Sequence, residues 1–307
     1  MRKVSSIFMV GLCVGAVAAL VVTGRDTSVA DKPRPIATTQ GIVTTTPEPP
    51  ATKAAAGKPD PTAAPAPEPK PSVSARGKID PGTLDALVPG GKLSAVVFDR
   101  ASGAITVSRN PDRVYTSASL VKLFIALEVL GREGPAADVQ HMLSRSDDDL
   151  ASQFWVAYGG PAIVTHWART IGLQATKPPA APGRWGDTEI TAADMVRVYR
   201  YLLDSAPASA RNIILSALAA ATERGSDNFR QYFGIPDGLG DSQPWAIKQG
   251  WACCRPTRVL HTSGVIGKNN RYIVVVLTEN PRSVSDGTGS KEVTAVVNAL
   301  RPTLGGS

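Results

Sequence analysis

Ser117-Ala-Ser-Leu-Val-Lys-Leu-Phe-Ile-Ala-Leu-Glu-Val-Leu130 is apolar on nearly every face, with Ser119, Lys122 and Glu128 almost its only polar groups after the first turn. A helix that is hydrophobic all round is a buried one. Lysine is almost never fully buried alone, because burial penalises its charged form, so Lys122 needs a specific neighbour. Ser119, three residues earlier, lies on the same helical face one turn away. A desolvated amine that is neutral part of the time can take the proton from a hydroxyl beside it. Ser119 also stands at the N-terminal end of the helix, where free N–H groups and the dipole favour developing negative charge. A nucleophile, a base and half of an oxyanion hole therefore fall within four residues.

The chain around this stretch has 307 residues, 43% of them hydrophobic, and a sequence pI near 9.4. That is enough for one substantial globular domain plus attachments. A net charge of +7 invites a nucleic-acid reading, but residues 1–80 hold ten Lys and Arg against six Asp and Glu, leaving +3 for everything after. No basic cluster interleaved with aromatics follows, which argues against nucleic-acid binding. Arg2 and Lys3 precede an uncharged run from Ile7 to Val22. This is the pattern of an export signal, and with Arg25 behind it the run is almost long enough to remain as a membrane anchor. Ala16-Val17-Ala18 and Ser28-Val29-Ala30 are small-residue cleavage sites, neither well placed, and Cys13, inside the run and after Leu12, is a poor lipidation candidate. Residues 1–25 are expected to be a signal peptide or membrane anchor, with a buried N-terminal helix as the bland alternative.

Residues 26–78 contain no Phe, Trp or Tyr and carry eleven of the 25 prolines, as in Ala63-Ala-Pro-Ala-Pro-Glu-Pro69. Such a segment cannot bury enough apolar surface to offset its ordering entropy, and it reads as a semi-extended tether. From Ile79 the composition becomes globular, so residues 79–305 are expected to form one domain. Asp80-Pro81 should cap and open a short helix to Leu87. Lys92 to Arg100 and Ala104 to Arg109 predict a β-hairpin, and Trp245 to Trp251, Val259 to Val265 and Tyr272 to Thr278 predict three further strands. The middle, to about Ala220, is helix-rich; Thr191-Ala-Ala-Asp194 resembles a capping box, and Lys291 to Leu300 is a final amphipathic helix. Strands at both ends around a helical middle predict an α+β fold: an antiparallel sheet built from the termini, with an inserted helical subdomain.

Ser-x-x-Lys alone is weak evidence, although it occurs here only once. Downstream of it come Ser146-Asp147-Asp148 and, in a later strand, Lys248-Gln249-Gly250. In that order the three elements resemble the S-x-x-K, S-D-N and K-T-G motifs of class A β-lactamases and penicillin-binding proteins. The likeness extends to Tyr158–Gly172, similar to the helix after the second motif, and to Gly186–Thr191, similar to the exit of the Ω loop. It covers roughly residues 90–300 and implies a β-lactamase-like fold with a reduced helical subdomain. Chemistry and resemblance agree on the roles. Ser119 would attack a carbonyl, Lys122 would act as base, and Ser146 would relay the proton to the leaving group. The N–H groups of Ser119 and Trp251 would bind the oxyanion. Lys248 would add positive potential and hold a substrate carboxylate, with Asp148, Gln249 and Gly250 beside the substrate. The competing reading, a surface serine, a snorkelling lysine and an edge-strand lysine, needs both the order and the flanking segments to be coincidence.

Three departures limit the transfer. Asp148 stands where the pattern has Asn, replacing an amide donor by an anion. Ser146 follows Ser119 by 27 residues, about half the usual separation. The segment between Gly172 and Asp187 is short and contains no glutamate, the residue with which class A enzymes activate the deacylating water. Slow deacylation is expected, with Glu189 more suited to capping the next helix. His141, His166 and His261 show no metal-ligand spacing and there is no Gly-x-Ser-x-Gly elbow, so neither a metal, a cofactor nor an α/β-hydrolase triad is expected. Adjacent Cys253 and Cys254 leave three readings open: a buried thiol, a vicinal disulfide or a catalytic thiol. The expectation is a monomeric, exported serine acyl-transfer hydrolase acting on a cell-wall peptide or β-lactam-like small molecule, with membrane contact only through an uncleaved N-terminal helix. Its rivals are a true class A-like β-lactamase and a catalytically weak cell-wall-peptide binding module.

Overall fold

Tyr272-Ile-Val-Val-Val-Leu-Thr-Glu-Asn280 is rich in β-branched residues and buried almost throughout, as a strand covered on both faces must be. In the computed structural model, which describes residues 79–305, it is the central strand, β7, of a five-stranded sheet. The other strands of the sheet are β1 (Lys92–Asp99), β2 (Ala104–Arg109), β5 (Trp245–Ala252) and β6 (Arg258–Ile266), in the order β2-β1-β7-β6-β5, every neighbouring pair antiparallel. Two residues each from β3 (Tyr115–Thr116) and β4 (Glu189–Ile190) form a separate ribbon. The signal or anchor expected at residues 1–25 and the tether expected at 26–78 lie outside the described residues.

Alternation along β7 divides the interior in two. Ile273, Val275 and Leu277 face a core shared with the helices of the middle region, while Val274 and Val276 face one shared with the C-terminal helix. The helices are α1 (Lys122–Gly131), α2 (Ala136–Ser144), α3 (Asp148–Tyr158), α4 (Pro161–Ile171), α5 (Ala192–Asp204), α6 (Ala208–Ala219), α7 (Ile235–Leu239) and α8 (Asp286–Leu300). The Lys122–Val129 part of α1 is wholly buried, and the helix is packed among α2, α3, α4 and α6. The expected caps are present: Asp80 accepts from Gly82 N–H, and Thr191 from Asp194 N–H. Two elements differ from expectation. The opening of the apolar stretch, Ala118–Val121, is a 3-10 turn, and α8 begins at Asp286 rather than Lys291, because Ser285 caps it through Thr288 N–H.

Candidate active site

Ser119 sits in the 3-10 turn between β3 and α1, and Lys122 is the first residue of α1. The lysine is fully buried and donates from Nζ to Ser119 Oγ at 2.9 Å. The same Nζ meets the Ser146 carbonyl at 2.9 Å, Ser146 Oγ at 3.3 Å and, in an ion pair, Asp148 Oδ1. Burial holds the Lys122 pKa below that of an ordinary lysine; Asp148, and less strongly Asp147 and Asp227, act in the opposite direction.

Ser146 occupies the link between α2 and α3 with φ of +52°, in the left-handed region, and this turns its hydroxyl between the two lysines. Lys248 Nζ donates to Ser146 Oγ at 2.8 Å and to the Gln249 carbonyl at 3.0 Å. Burial, reinforced by repulsion from Lys122, lowers its pKa well below the usual value. Ser119, Lys122, Ser146 and Lys248 thus form one chain of hydrogen bonds drawn from three separated segments. Aspartates close it from the flank: Asp147 caps α3 through Leu150 N–H and accepts from Ser226 Oγ, at 2.9 Å each.

β5 reaches this chain because Gly250 lets it. A Cβ there would lie 3.0 Å from the Ser117 carbonyl and 3.3 Å from both Leu120 Cγ and His261 Cδ2, so only glycine permits so close a backbone approach. Beneath the strand Ser263 Oγ donates to the Lys248 carbonyl at 2.9 Å and meets the hydroxyl of buried Tyr199 at 2.9 Å. His261 on β6 bonds the Thr116 carbonyl through Nε2 at 2.8 Å and Thr278 N–H through Nδ1 at 3.2 Å, which requires the neutral ring protonated on Nε2.

A cavity of about 360 Å³ opens above Ser119. Asp148, Arg184, Trp185, Asp187, Trp251 and Cys253 are among its walls, and the buried amines lie below. Trp185 sits 4.8 Å above Lys122 Nζ and donates from Nε1 to Ser152 Oγ at 3.2 Å. Trp251 stacks on Phe229 with ring centres 4.8 Å apart, and its Nε1 donates to Asp227 Oδ2 at 2.8 Å.

Of the residues singled out in the sequence, Ser119, Lys122, Ser146, Asp148 and Lys248 converge through side chains, while Gly250 and Trp251 adjoin them. Gln249 is a correction. Adjacent residues of a strand point to opposite faces. The Gln249 amide is therefore buried on the far side, donating to the carbonyls of Gln231 at 2.8 Å and Phe233 at 2.6 Å, and contributes no side chain to the cavity. Glu189 is tied to Lys177 across a β-bridge and is not part of the cavity wall. Sequence reasoning missed Trp185 and Asp187, which the loop from Gly172 to Asp187 carries to the wall; an aromatic and an acid at the end of that loop were the available signal. Asp187 is held by Arg184 through two hydrogen bonds, one of them 3.0 Å. Cys253 and Cys254 are joined as a vicinal disulfide, the second of the three readings. Among the described residues no cluster of potential metal ligands occurs.

A family model described as the beta-lactamase enzyme family matches residues 131–300. That match begins after Ser119 and Lys122, whose pairing therefore rests on the geometry above. The chain is 40% identical over 235 residues to "Putative lipoprotein LppW" of Mycobacterium tuberculosis and of Mycobacterium bovis, covering 72% of this chain and 73% of the relative. Among solved structures it resembles a class A beta-lactamase from Mycobacterium abscessus with a TM-score of 0.62 at 19% identity, covering 74% of this chain and 99% of that one. It also resembles an ancestral class A beta-lactamase with a TM-score of 0.59 at 22% identity, covering 72% of this chain and 97% of that one. These structural likenesses concern the fold.

Proposed function

The chain belongs to the beta-lactamase enzyme family, and from that membership and the geometry around Ser119 we propose an exported serine hydrolase that works through an acyl-enzyme on a cell-wall peptide or related amide or ester. The observation that carries the reading is the 2.9 Å hydrogen bond from a fully buried Lys122 to Ser119 Oγ at the floor of an open cavity. Attack by Ser119 on the carbonyl moves its proton to Lys122, and Ser146 passes a proton onward to the leaving group. The reverse route would serve deacylation. The N–H groups of Ser119 and Trp251 are the oxyanion donors, supported by the close approach of β5 at Gly250.

Deacylation is the slow half. No glutamate lies between Gly172 and Asp187, and Asp187 is engaged by Arg184, so no free carboxylate of that loop is available to activate water. General-base assistance is worth roughly two to four orders of magnitude, enough to separate an efficient β-lactamase from an enzyme that acylates and stalls. A true β-lactamase is the second reading, favoured by the presence of Asp187 on the cavity wall. Burst and steady-state hydrolysis of a chromogenic cephalosporin decides between them: a stoichiometric burst followed by slow turnover supports the first reading, and sustained fast turnover the second.

Export is supported by the charged start and apolar run of residues 2–22, by the disulfide, a bond that persists in oxidising compartments, and by the lipoprotein name of the mycobacterial relatives. Among the described residues no helix is long and apolar enough to cross a membrane, so a retained anchor would be the N-terminal segment.

A further inference from the structure

We infer that the cavity accepts an acyl group bearing a free ammonium, an unblocked aminoacyl or peptide N-terminus, seated on Asp148 between Trp185 and Trp251. The inference rests on the acyl-enzyme reading above and names the substrate class of the same site. Asp148 is the first residue of α3, and although it pairs with a wholly buried lysine its own side chain is 61% exposed. Oδ1 holds Lys122, while among the described residues Oδ2 meets no donor and the side chain lines the cavity. A carboxylate only accepts hydrogen bonds. A carbonyl presented to it sets oxygen against oxygen, whereas an ammonium gains a charge-assisted bond, the stronger kind.

The aromatic walls bound the same position. Both rings are fixed, Trp185 through Ser152 with Lys122 Nζ 4.8 Å from its centre, and Trp251 between Phe229 and Asp227 with Lys248 Nζ 5.8 Å from its centre. The wall also carries two guanidinium groups. Arg184 is neutralised by Asp187, and Arg255, in the β5–β6 connection, suits an acidic group elsewhere on the same ligand. In the reaction Ser119 Oγ bonds to the acyl carbon, the bond to the leaving group breaks, and the serine proton leaves with it by way of Lys122 and Ser146. Water then releases the amino acid or peptide.

The test is paired kinetics on the full chain with 4-nitrophenyl esters of alanine, free and N-acetylated, in both configurations, corrected by Ser119→Ala. For the faster configuration, a kcat/KM about tenfold higher for the free amine is expected from one charge-assisted hydrogen bond. That ratio should shrink towards unity as salt is raised, and in Asp148→Asn. Because each ratio is taken within one protein, any effect of the substitution on Lys122 cancels, and should that variant not fold, the wild-type ratio and its salt dependence decide alone. Equal or better use of the acetylated ester overturns this inference and leaves the acyl-enzyme reading intact. Hydrolysis of neither ester above the Ser119→Ala blank defeats the acyl-enzyme reading, and this one with it.

Discussion

Lys122 is subject to two opposed influences, and under the proposed acyl-enzyme reading their balance would set the pH at which Ser119 is activated. Burial pushes the amine towards neutrality, while Asp148 directly, and Asp147 and Asp227 at longer range, favour its charged form; Lys248 on β5 faces it as a second amine. Acylation needs the neutral amine, so its rate should rise with pH through the Lys122 pKa. Replacing Asp148 by Asn leaves burial less opposed and lowers that pKa further. The acid limb of a pH–acylation profile should therefore move down by about one unit or more, the usual influence of an opposite charge at this range. A limb that stays fixed or moves up would contradict the assignment of Lys122 as base. The pair itself was legible in the sequence, because a lysine among apolar residues needs a polar partner and the serine three positions before it supplies one. The direction of the Gln249 side chain was not: a motif read as a triplet hides the alternation that sends its middle residue to the other face of the strand.

The elements bring the site together at one crossing, where β5 meets the 3-10 turn before α1. Gly250 is the residue that sets their separation. A Gly250→Val variant would place its Cβ 3.0 Å from the Ser117 carbonyl, forcing strand and turn apart. Overpacking of this kind destabilises by about 1–3 kcal/mol. Acylation should fall by more than stability accounts for, with labelling of Ser119 reduced at least tenfold in protein that is still folded by circular dichroism. Normal labelling would mean that strand and turn need not be so close. Strand positions were readable from β-branched runs and the α5 start from its capping box. The start of α8 was hidden because Asp286-Gly-Thr-Gly-Ser290 contains two glycines, and only the Ser285 cap shows that the helix has already begun. The loop from Gly172 to Asp187 gave no periodicity to read, so its delivery of Trp185 to the cavity depends on contacts remote in sequence. Among these are Asp194 accepting the N–H groups of Gln174, Ala175 and Thr176, and Trp155 Nε1 donating to the Pro182 carbonyl.

At the scale of the whole molecule, the sheet and the segment leading to Ser119 are coupled through a buried neutral histidine. Burial pushes the His261 pKa down to about 4, so between pH 6.5 and 4 the unfolded chain binds a proton that the folded chain excludes. Stability is therefore lost as pH falls through that window, by roughly 3 kcal/mol if the whole difference is expressed. Thermal melts should show Tm falling on acidification from pH 6.5 to 4, and His261→Gln should flatten that slope; an unchanged slope in the variant would assign the loss to other groups. The antiparallel sheet built from both ends of the domain was legible from the order of strands and helices. The two-sided burial of β7 shows why: a central strand with helices on both faces reads as a continuous apolar run.

The most direct test of the central claim is intact mass after exposure to a fluorophosphonate, with peptide mapping of the product. A single adduct on the peptide containing Ser119, slowed as pH falls and absent in Ser119→Ala, is the expected result. A folded wild-type chain that stays unmodified, or an adduct at another serine, would mean that Lys122 does not activate Ser119.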